Sequence, residues 1–151
     1  MTDMSTLHRR FLVLGVLAGA VAASTCEVGS FSPGDTLTEG TWGGDDAGLI
    51  LDGSNAHVHF GCTSGDFPAP IELDDDGRFS VTGEYDPEVS PVSTGPRMPA
   101  ELAGVVRGRE LTMTVAVNDT IQDRLVVFGP ATVRWGREPE MQICPVCETP
   151  G

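Results

Sequence analysis

Between Gly40 and Trp135 the chain alternates apolar and polar residues in short segments, and turn-forming residues separate the segments. Alternation at period 2 places successive side chains on opposite faces of a strand, and turns every 8–12 residues or so are typical of all-β domains. The pattern predicts about eight strands. They are Thr41–Trp42, Ala47–Leu51, Ala56–Cys62, Ile71–Leu73, Arg78–Tyr85, Glu101–Arg107, Glu110–Asn118 and Arg124–Trp135.

The connections between these segments favour a meander. Asp75-Asp76-Gly77 is a hairpin signal between Ile71–Leu73 and Arg78–Tyr85, and Gly108-Arg109 is a tight turn. Residues 86–99 contain four prolines and are predicted to form a long loop. Closure best removes the exposed edges of such a meander, so we expect a small antiparallel up-and-down barrel of about eight strands. A two-sheet β-sandwich is the alternative.

The N-terminal residues have the pattern of an export signal. The charged residues His8-Arg9-Arg10 precede the apolar run Phe11–Ala23, which is too short to span a membrane. Residues 23–26 resemble the lipobox of bacterial lipoproteins, which implies lipidation of Cys26 and, because Glu27 is not Asp, sorting to the outer membrane. The alternative is cleavage after residues 20–22, which would give a soluble periplasmic or secreted protein.

This pattern divides the chain into four parts. Residues 1–25 form the export signal, and residues 26–39, rich in Ser, Gly, Thr and Glu, form a flexible tether. Residues 40–144 form the barrel, and residues 145–151 form a C-terminal tail.

The four cysteines are expected to form at least one disulfide, because export places them in an oxidising compartment. Strand phase puts Cys62 on the inward face with Val58 and Phe60, and Cys144 follows the last strand. We therefore predict a Cys62–Cys144 disulfide. Cys147 would then be unpaired or, without lipidation, bonded to Cys26.

The charge of the chain limits the kinds of partner that it can bind. All nine basic residues are arginine, and the 22 acidic residues give the chain a net charge of −13. This balance repels nucleic acid and anionic membrane surfaces, so membrane contact is expected through the lipid anchor only. A solvated acidic surface with no specific partner also explains the composition.

His57 and His59 are the candidate metal ligands, because their spacing places two imidazoles on one face of a strand. A protein zinc site uses three or four ligands, and no neighbouring segment clearly supplies the others. The alternative is an ordinary solvated polar face, and no cofactor is expected.

Motifs for common catalytic chemistries are missing from the sequence: there is no Gly-x-Ser-x-Gly, phosphate-binding glycine loop or HExxH. We therefore predict a protein that is not an enzyme. An uncharacterised hydrolase with a site that the sequence does not reveal is the alternative.

Several short motifs resemble those of a set of small exported bacterial proteins of uncharacterised function. They are Gly40-Thr41-Trp42-Gly43-Gly44, Phe60-x-Cys62, Leu73-Asp74-x-Asp76-Gly77-Arg78-Phe79, Gly83-x-Tyr85 and the late Cys144. The resemblance implies no activity. Gly40-Thr41-Trp42 also resembles the Gly-x-Trp that opens lipocalin and avidin barrels. That resemblance implies Trp42 at the barrel floor with Arg134 or Arg137 stacked on it.

Together these features predict an exported, lipid-anchored barrel that binds a small ligand or an envelope protein. A small ligand would enter the open end of the barrel, opposite a floor closed by the disulfide. The alternatives are a structural envelope module and a secreted hydrolase inhibitor that uses the proline-rich residues 86–99 as its inhibitory loop.

Overall fold

The computed structural model describes residues 31–32, 34–88 and 95–144. They form a closed barrel in which each strand pairs antiparallel with the next and β8 pairs with β1. The strands are β1 Gly40–Gly44, β2 Ala47–Leu51, β3 Asn55–Phe60, β4 Thr63–Pro68, β5 Arg78–Asp86, β6 Met98–Arg107, β7 Glu110–Asp119 and β8 Arg124–Trp135. This confirms the predicted up-and-down barrel and excludes its alternative, the two-sheet β-sandwich. No helix among these residues is long and apolar enough to cross a membrane.

The barrel interior is filled with side chains. In β3, Ala56 and Val58 are fully buried while the intervening His57 is partly exposed, as the predicted alternation requires. The largest side chains less than 2 % exposed are Trp42, Tyr85, Phe67, Leu49, Leu102, Leu111, Met113, Val58, Val115, Val117 and Val133. An eight-stranded barrel has an interior just wide enough for such side chains. They occupy the space in which a small ligand was expected.

One strand was predicted at the wrong place. β4 spans Thr63–Pro68, whereas the predicted strand Ile71–Leu73 makes only a single bridge, between Glu72 and Thr36. The sequence of β4 contains glycine, aspartate and proline, which are uncommon in strands. Gly65 is nevertheless required there, because a Cβ atom would overlap the ring of Tyr85 on the neighbouring β5.

The turn at residues 75–77 therefore does not join two paired strands. β5 pairs with β4 and β6, so the predicted hairpin with residues 71–73 is wrong. Asp74 organises this turn instead, since its Oδ1 accepts hydrogen bonds from the backbone N–H groups of Asp76 and Arg78 at 2.9 and 2.7 Å.

The described part of the predicted tether packs against one end of the barrel. Leu37 is 2 % exposed, and its N–H donates to the carbonyl of Ile71 at 2.9 Å. Phe31 lies against Gly77. We call this the N-terminal end of the barrel; the opposite end, formed by the β1–β2, β3–β4, β5–β6 and β7–β8 connections, is the rim. A flexible tether was predicted for residues 26–39, and the described part of it packs on the barrel through isolated apolar residues that give no periodic signal.

After β8 the chain turns back and runs over the outer wall towards the rim. This C-terminal strap, residues 136–144, lies across Gly43 and Gly48, where a Cβ atom would overlap strap atoms. Backbone hydrogen bonds of 3.0 Å join Glu140 N–H to the Gly44 carbonyl and Asp46 N–H to the Glu140 carbonyl. The two glycines thus provide the flat surface that the strap needs.

A disulfide between Cys62 and Cys144 ties the end of the strap to the rim, which confirms the predicted pairing. The predicted location was wrong. β3 ends at Phe60, and Gly61 has a positive φ of 56°, so the strand phase does not continue to Cys62. Cys62 is therefore half-buried in the β3–β4 turn at the rim, and the disulfide does not close a floor.

We expect loss of this disulfide to destabilise the barrel by roughly 4–5 kcal/mol, because it closes a loop of 82 residues in the unfolded chain. Urea unfolding of Cys62→Ser, Cys144→Ser and the double variant under oxidising conditions measures the effect. All three should lose the same stability, since each loses the same bond. Additive losses, or a Cys62→Ser variant as stable as the wild type, would contradict the assignment.

Tyr85 has a buried phenol. Its ring is 0 % exposed, and its hydroxyl lies 2.7 Å from Oγ1 of Thr63, which also donates to the Phe60 carbonyl at 2.7 Å. Burial raises the pKa of Tyr85 to about 12, and the hydrogen bond with Thr63 offsets only part of this shift.

The raised pKa of Tyr85 predicts an alkaline loss of stability. The unfolded phenol ionises near pH 10 and the folded phenol near pH 12, so this contribution is complete below about pH 10 and is lost as the pH rises to about 12. The chain has one tyrosine and no lysine, so no other side chain ordinarily titrates in this window. The pH dependence of urea unfolding should flatten there in Tyr85→Phe. An unchanged alkaline slope in that variant would refute the prediction.

Candidate functional site

The outer wall of β3 and β4 carries a cluster of polar side chains that we call the histidine cluster: Asn55, His57, His59, Asp66 and Arg97. The antiparallel register places His57 directly opposite Asp66, and the period of 2 brings His59 to the same face. His57 Nδ1 lies 2.7 Å from Asp66 Oδ1, and the Nε2 atoms of the two histidines lie 2.8 Å apart. The rings meet edge to face at 4.6 Å.

Asp66 is the centre of the histidine cluster. Its Oδ1 accepts a hydrogen bond from Asn55 Nδ2 at 3.0 Å and faces His57, and its Oδ2 pairs with the Arg97 guanidinium. Burial favours the neutral acid, but the hydrogen bonds from Asn55, Arg97 and His57 outweigh it and hold the pKa of Asp66 well below its usual range. Asp66 is therefore a carboxylate throughout the physiological pH range.

His59 is held mainly as a neutral ring. Partial burial and the neighbouring charge of His57 lower the pKa of His59, and Asp66 and a hydrogen bond with the Thr63 backbone offset only part of this shift. The predicted histidine pair is thus brought together on the outer wall, but it is only partly solvated.

The sequence did not predict that Asp66 and Arg97 would join the two histidines in one cluster. Asp66 lies on β4, which was not recognised as a strand, and Arg97 lies at the end of the proline-rich residues 86–99. Within the described residues, no group of three or more His, Cys, Asp or Glu is arranged to hold a metal ion.

A cleft opens at the rim beside the described ends of the proline-rich segment. It has a volume of about 170 Å³, and Pro87 and Pro96 from the β5–β6 connection face Ile121 from the β7–β8 turn across it. Ile121 is 69 % exposed. The cleft lies at the rim between two connections and not inside the barrel, where a barrel-bound ligand would need an interior pocket.

Exposed apolar side chains continue from this cleft along the first half of β8. Leu125 is 68 % exposed and Val127 is 56 % exposed, and both lie on the outer wall. In the described chain this half of β8 pairs with β7 alone, since β1 pairs only with Arg134 and Trp135. We call the cleft and this strand edge together the rim surface.

The N-terminal end differs from the expected lipocalin-like floor. Trp42 is buried, and its Nε1 donates to the Thr38 carbonyl at 2.9 Å. Arg134 is on the outer wall and pairs with Glu110, so the expectation that it stacks on Trp42 is wrong. The reason is strand phase: Val133 takes the inward position.

Arg137, the other arginine expected to stack on Trp42, lies in the strap instead. It pairs with Asp45 of the β1–β2 turn and with Glu140 at 2.7 and 2.6 Å. The stacked pair at this end is instead Arg109 over Trp135, with the guanidinium 4.7 Å from the ring centre.

Cys26, the predicted lipidation site, and Cys147 lie outside the described residues. Comparison of the chain with models of protein families, with curated proteins and with solved structures gives no match. Residue chemistry and geometry are therefore the basis for any functional proposal.

The depressed pKa of Asp66 predicts an acid-sensitive contribution to stability. It is present above the unfolded pKa of about 4 and is lost as the pH falls through the lower folded value. Asp66→Asn should cost about 1–2 kcal/mol at neutral pH, because it removes the charge partner of Arg97 and His57. Urea unfolding between about pH 3 and pH 7 measures both effects.

The matched control is Asp75→Asn, since Asp75 is exposed and makes no side-chain hydrogen bond within the described residues. Asp75→Asn should unfold like the wild type at every pH. Equal behaviour of the two variants would show that the histidine cluster contributes no stability.

Proposed function

We propose that this protein is an exported, lipid-anchored and non-enzymatic β-barrel that binds another exported protein through the rim surface. The observation that supports this most is the exposed apolar rim of a barrel whose interior is already filled. Patches of exposed apolar residues on a small domain commonly mark protein contacts. No catalytic motif in the sequence suggests a reaction.

The filled interior favours a protein partner over a small ligand. Leu49, Leu102 and Val115 are 0 % exposed, and binding between them would require displacing well-packed side chains. The rim surface needs no such rearrangement. It offers proline side chains, which are pre-ordered, and an exposed backbone edge at which a partner strand could pair.

The orientation of the barrel is consistent with anchoring at Cys26. Phe31, the first described residue, lies against Gly77 at the N-terminal end, which is opposite the rim. A lipid on Cys26 would hold the N-terminal end towards the membrane. The rim surface would then face away from it, where an exported protein can reach it.

Inhibition of a secreted hydrolase is a more specific version of the same proposal. The proline-rich segment is fixed at its first end by a 3.0 Å hydrogen bond from Glu88 N–H to Asp86 Oδ1. The Arg97–Asp66 ion pair fixes its other end. Prolines restrict the backbone conformations of an inhibitory loop, so less entropy is lost on binding.

A photo-crosslinking amino acid placed at Ile121 in producing cells tests the protein-binding proposal. We expect one discrete adduct from Ile121 and none from Ile50, which is 49 % exposed on the outer wall of β2 and is the matched control. Loss of the adduct on Leu125→Asp would place the contact on the rim surface. No adduct at Ile121, or equal adducts at both positions, would refute the proposal.

Two further measurements test the lipid anchor and the inhibitor version of the proposal separately. Cys26→Ala should move the protein from the membrane fraction to the soluble fraction without changing the Ile121 adduct, because the anchor and the rim surface are independent. A mature N-terminus at Ala23 without lipid would refute the anchor. Absence of inhibition across a panel of secreted hydrolases would exclude the inhibitor version only.

A further inference from the structure

We propose that a groove at the N-terminal end of the barrel binds a phosphate group, carried either by an anionic lipid or by a soluble phosphate ester. The groove has a volume of about 490 Å³ and lies between the β6–β7 turn and the end of β8. We call it the basic groove. The charged and aromatic residues that line it are Arg107, Arg109, Arg134, Arg137, Glu110 and Trp135. The site does not depend on the protein contact at the rim surface.

The basic groove concentrates positive charge in an acidic chain. The chain has 22 acidic residues and nine arginines, and seven of the arginines follow the export signal. Four of these seven line the groove, together with one carboxylate, that of Glu110. The net charge of the chain therefore does not describe the field at this site, because charges more than about 8 Å away are largely screened at physiological ionic strength.

Arg109 is held in place by contacts that leave its charge uncompensated. Its guanidinium lies 4.7 Å from the ring centre of Trp135, and its Nη2 donates to the Trp135 carbonyl at 3.1 Å. Trp135 is itself fixed, because its Nε1 donates to the Glu39 carbonyl at 2.9 Å. Arg109 is thus an oriented cation, and the described residues use only one of its five N–H donors.

Arg107 is held in the same way. Its Nη1 donates to the backbone carbonyls of Asp76 and Val106, which orient the guanidinium but carry no net charge. Within the described residues, neither Arg107 nor Arg109 forms an ion pair, whereas four other arginines do: Arg97, Arg124, Arg134 and Arg137. Two such arginines side by side in so acidic a chain indicate a site for an anion that the chain does not itself supply.

The remaining charges of the basic groove form ion pairs. Arg134 pairs with Glu110, and their side chains are 62 % and 50 % exposed. An exposed pair of this kind contributes little stability, so a phosphate group can displace Glu110 from Arg134. Arg137 is already neutralised by Asp45 and Glu140, and we assign it no part in binding.

A phosphate group fits this arrangement better than a carboxylate does. Its several oxygens accept hydrogen bonds from more than one guanidinium at once, whereas one planar guanidinium satisfies both oxygens of a carboxylate. The volume of the groove lies within the range of roughly 300–1,000 Å³ that is typical of small-molecule sites. The groove therefore has room for the group that carries the phosphate.

The position of the basic groove makes a lipid headgroup one source of the phosphate. Arg107 donates to the carbonyl of Asp76, and the next residue, Gly77, contacts Phe31. Cys26 precedes Phe31 by five residues, which span at most about 18 Å. A lipid on Cys26, as proposed above, would keep the groove within reach of headgroup phosphates. A soluble phosphate ester is the other source and needs no anchor.

Titration of the chain from residue 26 onwards, with Cys26→Ala and at constant ionic strength, tests the site with inorganic phosphate. The indole N–H signal of Trp135 should shift saturably in NMR spectra, and that of the buried Trp42 should not. Arg107→Gln and Arg109→Gln should each weaken binding by about threefold to tenfold, and the double variant should show no saturable shift. Glu110→Gln should tighten binding, because it removes the competing carboxylate.

Sedimentation of the same chain with lipid vesicles identifies the source of the phosphate. Retention on vesicles of phosphatidylglycerol mixed with phosphatidylcholine, but not on phosphatidylcholine alone, would identify a lipid headgroup if the double variant is not retained. A saturable phosphate titration without retention on either vesicle would identify a soluble ester.

Arg97→Gln is the matched control, because it removes the same charge just before β6, at the rim. It should bind phosphate like the wild type, and circular dichroism should show that all variants are folded. Neither a saturable shift nor retention, equal weakening by Arg97→Gln, or unchanged binding by the double variant would overturn the proposal. Because this chain carries no lipid, a refuted anchor or a missing Ile121 adduct would leave these results unchanged.

Discussion

The packing of side chains inside the closed barrel is the constraint on which the rest of the structure depends. Eight strands enclose only enough space for side chains, and Trp42, Phe67 and Tyr85 fill much of it. Because the inward positions are all used for packing, chemistry is left to the outer wall and the rim. The histidine cluster and the rim surface both occur there.

Closure of this barrel is weakest between β1 and β8. Their ladder contains two residue pairs, Trp42 with Trp135 and Gly43 with Arg134, whereas β6 and β7 pair along most of their length. The C-terminal strap covers the outside of this short ladder over Gly43, and the disulfide holds the strap at the rim. The strap thus compensates for the shortness of β1. Because β1 is short, the first half of β8 pairs with β7 alone and forms an edge.

Alternation along the chain predicted the barrel because burial follows the period of 2 closely in β3 and β7. Alternation failed in the segments whose structure depends on something other than an apolar face. β4 contains Gly65 and Asp66, whose roles are a close approach to Tyr85 and a charged cluster, and neither role produces an apolar pattern. Residues 31–39 pack through two isolated apolar side chains, which no periodicity reveals. The disulfide partner was predictable because Cys144 is the first cysteine after the last strand, but the place of the disulfide was not, because Gly61 ends β3 early.

The histidine pair was visible in the sequence, but the partners that surround it were not. Spacing places two imidazoles on one face, but only the register with β4 shows Asp66 behind His57, and only the β5–β6 connection brings Arg97 to Asp66. The central claim is that side chains fill the barrel and that the protein therefore acts through its outer wall and rim. Xenon NMR tests this claim most directly, because xenon enters dry apolar cavities. We predict methyl shifts confined to the rim, at Ile121, Met98 and Val126. Saturable shifts of Leu49, Leu102 and Val115 would contradict the account.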